Sequence, residues 1–161
     1  MKTARVRNRE NQLERLFFDA EWGNNAMLRS AIKRGVDIEA RNSRGLTPLF
    51  IAAGQARVST VQILLKAGAK VDAPTTNGRT PLMVAALRGF DDIVIMLLEA
   101  GADITKRDGE GKDARHYASL NGYASKLIDS IVAARQLGSV KRKEGVDEII
   151  GDLEGDLRKG D

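Results

Sequence analysis

Gly45-Leu46-Thr47-Pro48-Leu49-Phe50-Ile51-Ala52-Ala53 returns 33 residues later as Gly78-Arg79-Thr80-Pro81-Leu82-Met83-Val84-Ala85-Ala86. The same step links Gly45, Gly78 and Gly111, and it links Gly35, Gly68 and Gly101. Leu16, Leu49 and Leu82 keep it too. Several independent series sharing one period identify a structural repeat, in which each unit buries its apolar face against its neighbours.

The residues inside the period say what the unit is. Thr47 suits a helix N-cap, and Pro48 suits the first helical position, where its missing N–H costs nothing. A short helix follows, with Leu49, Ala52 and Ala53 on one face. A turn leads into a second helix, whose Val61, Leu64 and Leu65 recur at i, i+3 and i+4. Gly68 stops it, being free to take the left-handed conformation of a helix C-terminus. Ala69-Lys70-Val71-Asp72 then runs into a tight turn. That turn is Asn42-Ser43-Arg44-Gly45 in one unit and Thr75-Thr76-Asn77-Gly78 in the next, with Gly where positive φ is needed. The third unit copies the second: Leu82, Ala85 and Ala86, then Val94, Leu97 and Leu98, then Gly101-Ala102-Asp103-Ile104.

Gly-x-Thr-Pro-Leu-x-x-Ala-Ala followed by Leu-Leu-x-x-Gly-Ala resembles the ankyrin repeat. The resemblance covers roughly Arg15 to Leu137. It implies an all-α fold: an ankyrin-repeat solenoid of paired antiparallel helices joined by β-hairpin-like turns. The units fall at about 15–41, 42–74, 75–107 and 108–137, between a basic lead-in (1–14) and a charged tail (138–161). The end units depart from the pattern, as caps do. The first lacks Thr-Pro but regains the register at Leu28, Ala31, Ile32 and Gly35. The fourth has Asp113-Ala114 in place of Thr-Pro, where Asp still caps, and Arg115 where the others place Leu. A polar residue there predicts that no further unit stacks on it.

Composition narrows the chemistry. With no cysteine among 161 residues, disulfides, thiolate metal sites and cysteine nucleophiles are excluded. No apolar run reaches the ~18 residues that span a bilayer. The basic start lacks the apolar core of a secretory signal, so the expectation is a cytoplasmic protein unless a signal has been removed. The net charge of +4 divides into −2 from Gly138 onward and +6 before it. That surplus is small, and Glu21 and Glu110 interrupt it. Nucleic-acid binding needs many phosphate-contacting Lys and Arg, so it stands only as the alternative reading.

His116 is the only histidine, with Asp113 and Ser119 close in sequence. All three lie on or beside one short helix, whereas a Ser-His-Asp triad needs side chains converging on a reacting atom. In ankyrin repeats this position commonly holds a His that braces the neighbouring turn. No metal-ligand spacing and no phosphate-cradling loop is present. The expectation is a non-enzyme without cofactor, metal or small-molecule substrate.

The resemblance implies instead a concave recognition face made of helix ends and turn tips. By register, the helix-end positions are Glu21 and Trp22, Gly54 and Gln55, Leu87 and Arg88, and Leu120 and Asn121. The tips place Ser43, Arg44 and Leu46, then Thr76, Asn77 and Arg79, then Gly109, Glu110 and Lys112. Trp22 is the only tryptophan, and Trp and Arg are enriched among interface hot spots. It is read either as such an anchor or as a lid over the first unit's open core. Leu46, Leu87 and Leu120 are apolar at positions expected to face solvent. The expected partner is another protein, met by a chain that is monomeric when free and acts as an adaptor or as an inhibitor that occupies an enzyme's active site.

The tail is the remaining feature. Glu144 to Leu157 holds six acidic residues and no basic one. Its Val146, Ile149, Ile150, Leu153 and Leu157 are spaced as one stripe of a helix, weakened by Gly151 and Gly155. Three outcomes stand: docking on the open end of the fourth unit over Leu127 and Ile131, crossing the groove, or remaining a free arm.

Overall fold

The computed structural model describes residues 4–120 and, beyond them, residue 126, residues 128–131 and residue 133. The helices are α1 (Ala4–Trp22), α2 (Asn25–Lys33), α3 (Pro48–Gly54), α4 (Val58–Lys66), α5 (Pro81–Arg88), α6 (Asp91–Glu99) and α7 (Ala114–Ala118). No strand occurs among the described residues. α1, α3, α5 and α7 stack in sequence as an inner layer, and α2, α4 and α6 form an outer layer, each packed on its own inner helix. α1 is far longer than its counterparts because it starts at Ala4, inside the basic lead-in.

The predicted caps form. Thr47 and Thr80 accept from the backbone N–H of Phe50 and Met83, with Pro48 and Pro81 in the first helical turn. In the fourth unit Asp113 takes over this duty by accepting from the N–H of His116. Gly35, Gly68 and Gly101, just past the outer helices, all have positive φ.

The core follows the apolar series read from the sequence. Leu16, Leu49 and Leu82 are buried, as are the alanine pairs that let inner helices approach closely. Leu28, Val61 and Val94, then Leu64 and Leu97, carry the outer layer into the same core. Ile128 and Ile131 of the fourth unit are also buried. Leu127 and the whole 138–161 tail lie outside the described residues.

Each unit opens with the same turn. Asn42, Thr75 and Asp108 donate their N–H to the carbonyls of Leu46, Arg79 and Lys112, and their own carbonyls accept from Gly45, Gly78 and Gly111. This is the expected hairpin-like closure. Gly78 is doubly constrained: its φ is +77, and a Cβ there would lie 3.1 Å from Asp108 Cα in the next turn. Turns and helices are also bonded between units. Gly109 N–H donates to Asn77 O, and Arg57 Nε donates to Glu21 O at 2.8 Å. Thr60 Oγ1 donates to Asn25 Oδ1 at 2.8 Å.

Candidate partner-binding face

The inner helices place their C-terminal ends side by side, with the turn tips as the second rail of the face. Trp22, Gln55 and Arg88 stand at one register in successive units, and all are exposed. Their chain neighbours are not. Glu21 is half-buried and gives its carbonyl to Arg57. Gly54 is buried, and Val84 of the next unit comes so close that a Cβ there would meet its Cγ2 at 3.3 Å. Leu87 is half-buried against the core, and Leu46 is half-buried at its turn. These two leucines are therefore only partly open to solvent, Leu87 because it packs against the core. Leu120 is exposed, at 63%. Asn121 lies outside the described residues.

At the tips, Arg44 and Asn77 are exposed. Arg79, Glu110 and Lys112 gather around Asp108. This carboxylate is buried, and it accepts from the Tyr117 hydroxyl and from the backbone N–H groups of Glu110 and Lys112. Arg79 Nε lies 3.6 Å from its Oδ2, while Arg79 Cζ sits 5.2 Å above the Tyr117 ring. The Tyr117 hydrogen bond, then the two backbone N–H groups and Arg79, outweigh burial and hold the Asp108 carboxyl down at about 2. Burial, and then the bond to Asp108, raise the Tyr117 phenol above its usual range. Lys112 Nζ meets Glu110 at 2.6 Å, which lowers the carboxyl and raises the amine. Arg79, Glu110 and Lys112 thus spend much of their bonding capacity within the protein. A cleft of about 620 Å³ opens between the two tips, from Thr76 to Arg79 on one side and Arg107 to Glu110 on the other.

Asp113, His116 and Ser119 do not assemble a triad. Asp113 Oδ1 and Ser119 Oγ bond the backbone N–H and carbonyl of His116, and the exposed imidazole meets Tyr117 edge-on instead. Among the described residues no cluster of three or more His, Asp or Glu is placed to hold a metal, and no helix is long and apolar enough to cross a membrane.

Three features were missed in the sequence. The Asp108–Tyr117 lock was readable only as an Asp where Asn42 and Thr75 stand, with a hydroxyl-bearing residue at the register of Ile51 and Val84. Phe18 and Met27 are about half exposed, at 53% and 51%. Ala56 takes φ +56 at a position where Gly23 and Gly89 stand in the flanking units, and that 33-residue series was there to be seen.

A model of ankyrin repeats matches the chain over residues 16–108, as three copies. No curated protein matches it. The matched span exceeds half of the chain, and its boundaries coincide with the stacked units from Leu16 in α1 to the third turn. The chain belongs to the ankyrin repeat family, whose repeats are generally protein–protein interaction modules.

Proposed function

We propose that this protein binds a partner protein through the face formed by Trp22, Gln55 and Arg88 on the helix ends and by Arg44 and Asn77 on the tips. The observation that carries this reading is the helix-end ladder. In each of the first three units one exposed side chain stands at a single register, while the residue before it is packed or bonded within the protein. Such a row offers a partner a rigid scaffold with side chains that can be chosen without disturbing the stack. The lock around Asp108 supports this role by fixing one end of the face before binding, so less entropy is lost on association. Glu110, Lys112 and Leu120 carry the face into the fourth unit.

No Ser-His-Asp triad forms among the described residues, which favours action by occupancy, and blocking an enzyme's active site is the sharpest form of that role. The test is affinity capture from the source cells with a Gln55→Ala/Arg88→Ala double variant. A Gln62→Ala/Lys66→Ala control alters exposed residues of α4 in the outer layer. Loss of a captured protein from the first variant but not the control supports the face. Equal capture by wild type and both variants would overturn it. Inhibition then predicts that a captured enzyme loses activity in proportion to added wild-type chain.

A further inference from the structure

The turn tips carry charge in step with the repeat. Arg41 and Arg107 hold one position two repeats apart, Arg79 and Lys112 hold another one repeat apart, and Arg44 stands at the first tip. Residues 41–46, 74–79 and 107–112 together hold five basic residues and two acidic ones, Asp108 and Glu110, for a net charge of +3. Asp108 is buried, and Glu110 is held by Lys112 at 2.6 Å. The acids just before the first two tips, Glu39 and Asp72, accept from the backbone N–H groups of Lys70 and Asp103 in the next unit.

Several of these cations are fixed in place. Arg41 Nη1 donates to Gly45 O at 2.9 Å and Arg107 Nη1 to Gly111 O at 2.8 Å, so one bond orients the same side chain in two turns. Arg79 is set by Asp108 and by the Tyr117 ring. Each keeps part of its surface open: the side chains of Arg107, Arg79 and Lys112 are 66%, 39% and 37% exposed, and Arg41 and Arg44 are exposed too. A guanidinium already held in position meets a carboxylate with less ordering left to lose. The cleft of about 620 Å³ lies within this row, with Arg79 and Arg107 on its two walls.

The step between units selects the ligand. Packed helices repeat at about 8–10 Å. A polyproline II segment turns once in three residues and rises about 3.1 Å per residue, so every third side chain points the same way at intervals of about 9 Å. The phosphates along one strand of duplex nucleic acid come roughly every 3.4 Å, out of step with these cations. We propose, on the reading that the chain holds a partner protein, that the tip row binds an acidic segment of that partner in polyproline II conformation, with a carboxylate at every third residue.

The test mixes the purified full chain with a dye-labelled synthetic peptide repeating Glu-Pro-Pro, long enough to cross all three tips, and reads anisotropy at low salt. The peptide should bind, and a peptide of the same composition with its Glu residues in one block should bind more weakly. Arg44→Glu, a change at an exposed tip, should weaken binding by about fivefold or more, as should Arg41→Gln/Arg107→Gln. No binding, equal binding of the two peptides, or binding unchanged in both variants overturns the proposal. Tighter binding of oligothymidine than of the peptide overturns it as well, because the occupant would then be a nucleic acid. Cellular capture that depends on Gln55 and Arg88, alongside no peptide binding, would sink the acidic ligand while leaving the helix-end face standing.

Discussion

The two ends of this stack face the same problem and answer it differently. At the C-terminal end, the position that holds buried Leu16, Leu49 and Leu82 becomes Arg115, which is exposed and 3.8 Å from Asp113. The change replaces apolar surface with a charge at that register. At the N-terminal end no such change has been made: Phe18, Trp22 and Met27 stay apolar and open. A solenoid must finish both faces to stay soluble. One face is finished by substitution, and the other keeps its exposed apolar side chains.

The largest effect should come from importing the C-terminal solution into the middle. Leu82→Arg places a charge where the side chain has no exposure and no partner, and it should cost about 3–5 kcal/mol in chemical denaturation. The reciprocal Arg115→Leu should stay within about 0.5 kcal/mol of wild type, as surface changes do. Comparable losses in the two variants would mean that Arg115 is not terminal.

The joint between the third and fourth units should come next. Asp108→Ala strands the Tyr117 hydroxyl and two backbone N–H groups, and about 2–3 kcal/mol of stability should go with them. Asp108→Asn should be milder, because Asn42 closes the equivalent turn through the same two kinds of bond. The folded carboxyl titrates at about 2 against an ordinary 3.8, so its contribution is intact above about pH 4 and is lost as pH falls toward 2. Thermal melts across that window should therefore show wild type and Asp108→Asn converging as acid is added. A constant gap would place the ionised carboxylate outside the lock.

A smaller effect, and a gain, is expected at Ala56. Left-handed backbone costs a residue with a Cβ roughly 1–2 kcal/mol, less the entropy that glycine adds to the unfolded chain. Ala56→Gly should thus stabilise the protein by about 0.5–1 kcal/mol, read from the denaturation midpoint, and make the second unit match its neighbours at Gly23 and Gly89.

Much of the fold was legible in the sequence because a repeat states each local rule several times. Thr-Pro caps, turn glycines and leucine pairs recur at one spacing, so a single ambiguous residue cannot shift the register. The end units were legible by their departures, Arg115 and Asp113 above all. The face was legible only as positions. Register identifies Leu87 and Arg79 as surface residues, but whether the leucine folds back on the core, or the arginine is captured by Asp108 and Tyr117, depends on contacts between units that no single period encodes. The open N-terminal face was missed for a related reason. Phe18 and Met27 look like ordinary core residues, and only the structure shows that no described unit packs over them.

The central claim is that one register position means burial inside the stack and exposure at its first unit. The most direct test measures Phe18→Ala beside Ile51→Ala, the same position one unit apart, by equilibrium denaturation. Ile51→Ala should cost about 2–4 kcal/mol as a core truncation, while Phe18→Ala, although it removes the larger side chain, should cost about 1 kcal/mol or less. Equal losses, or a greater loss at Phe18, would contradict the account by showing that the first unit is buried as deeply as the second.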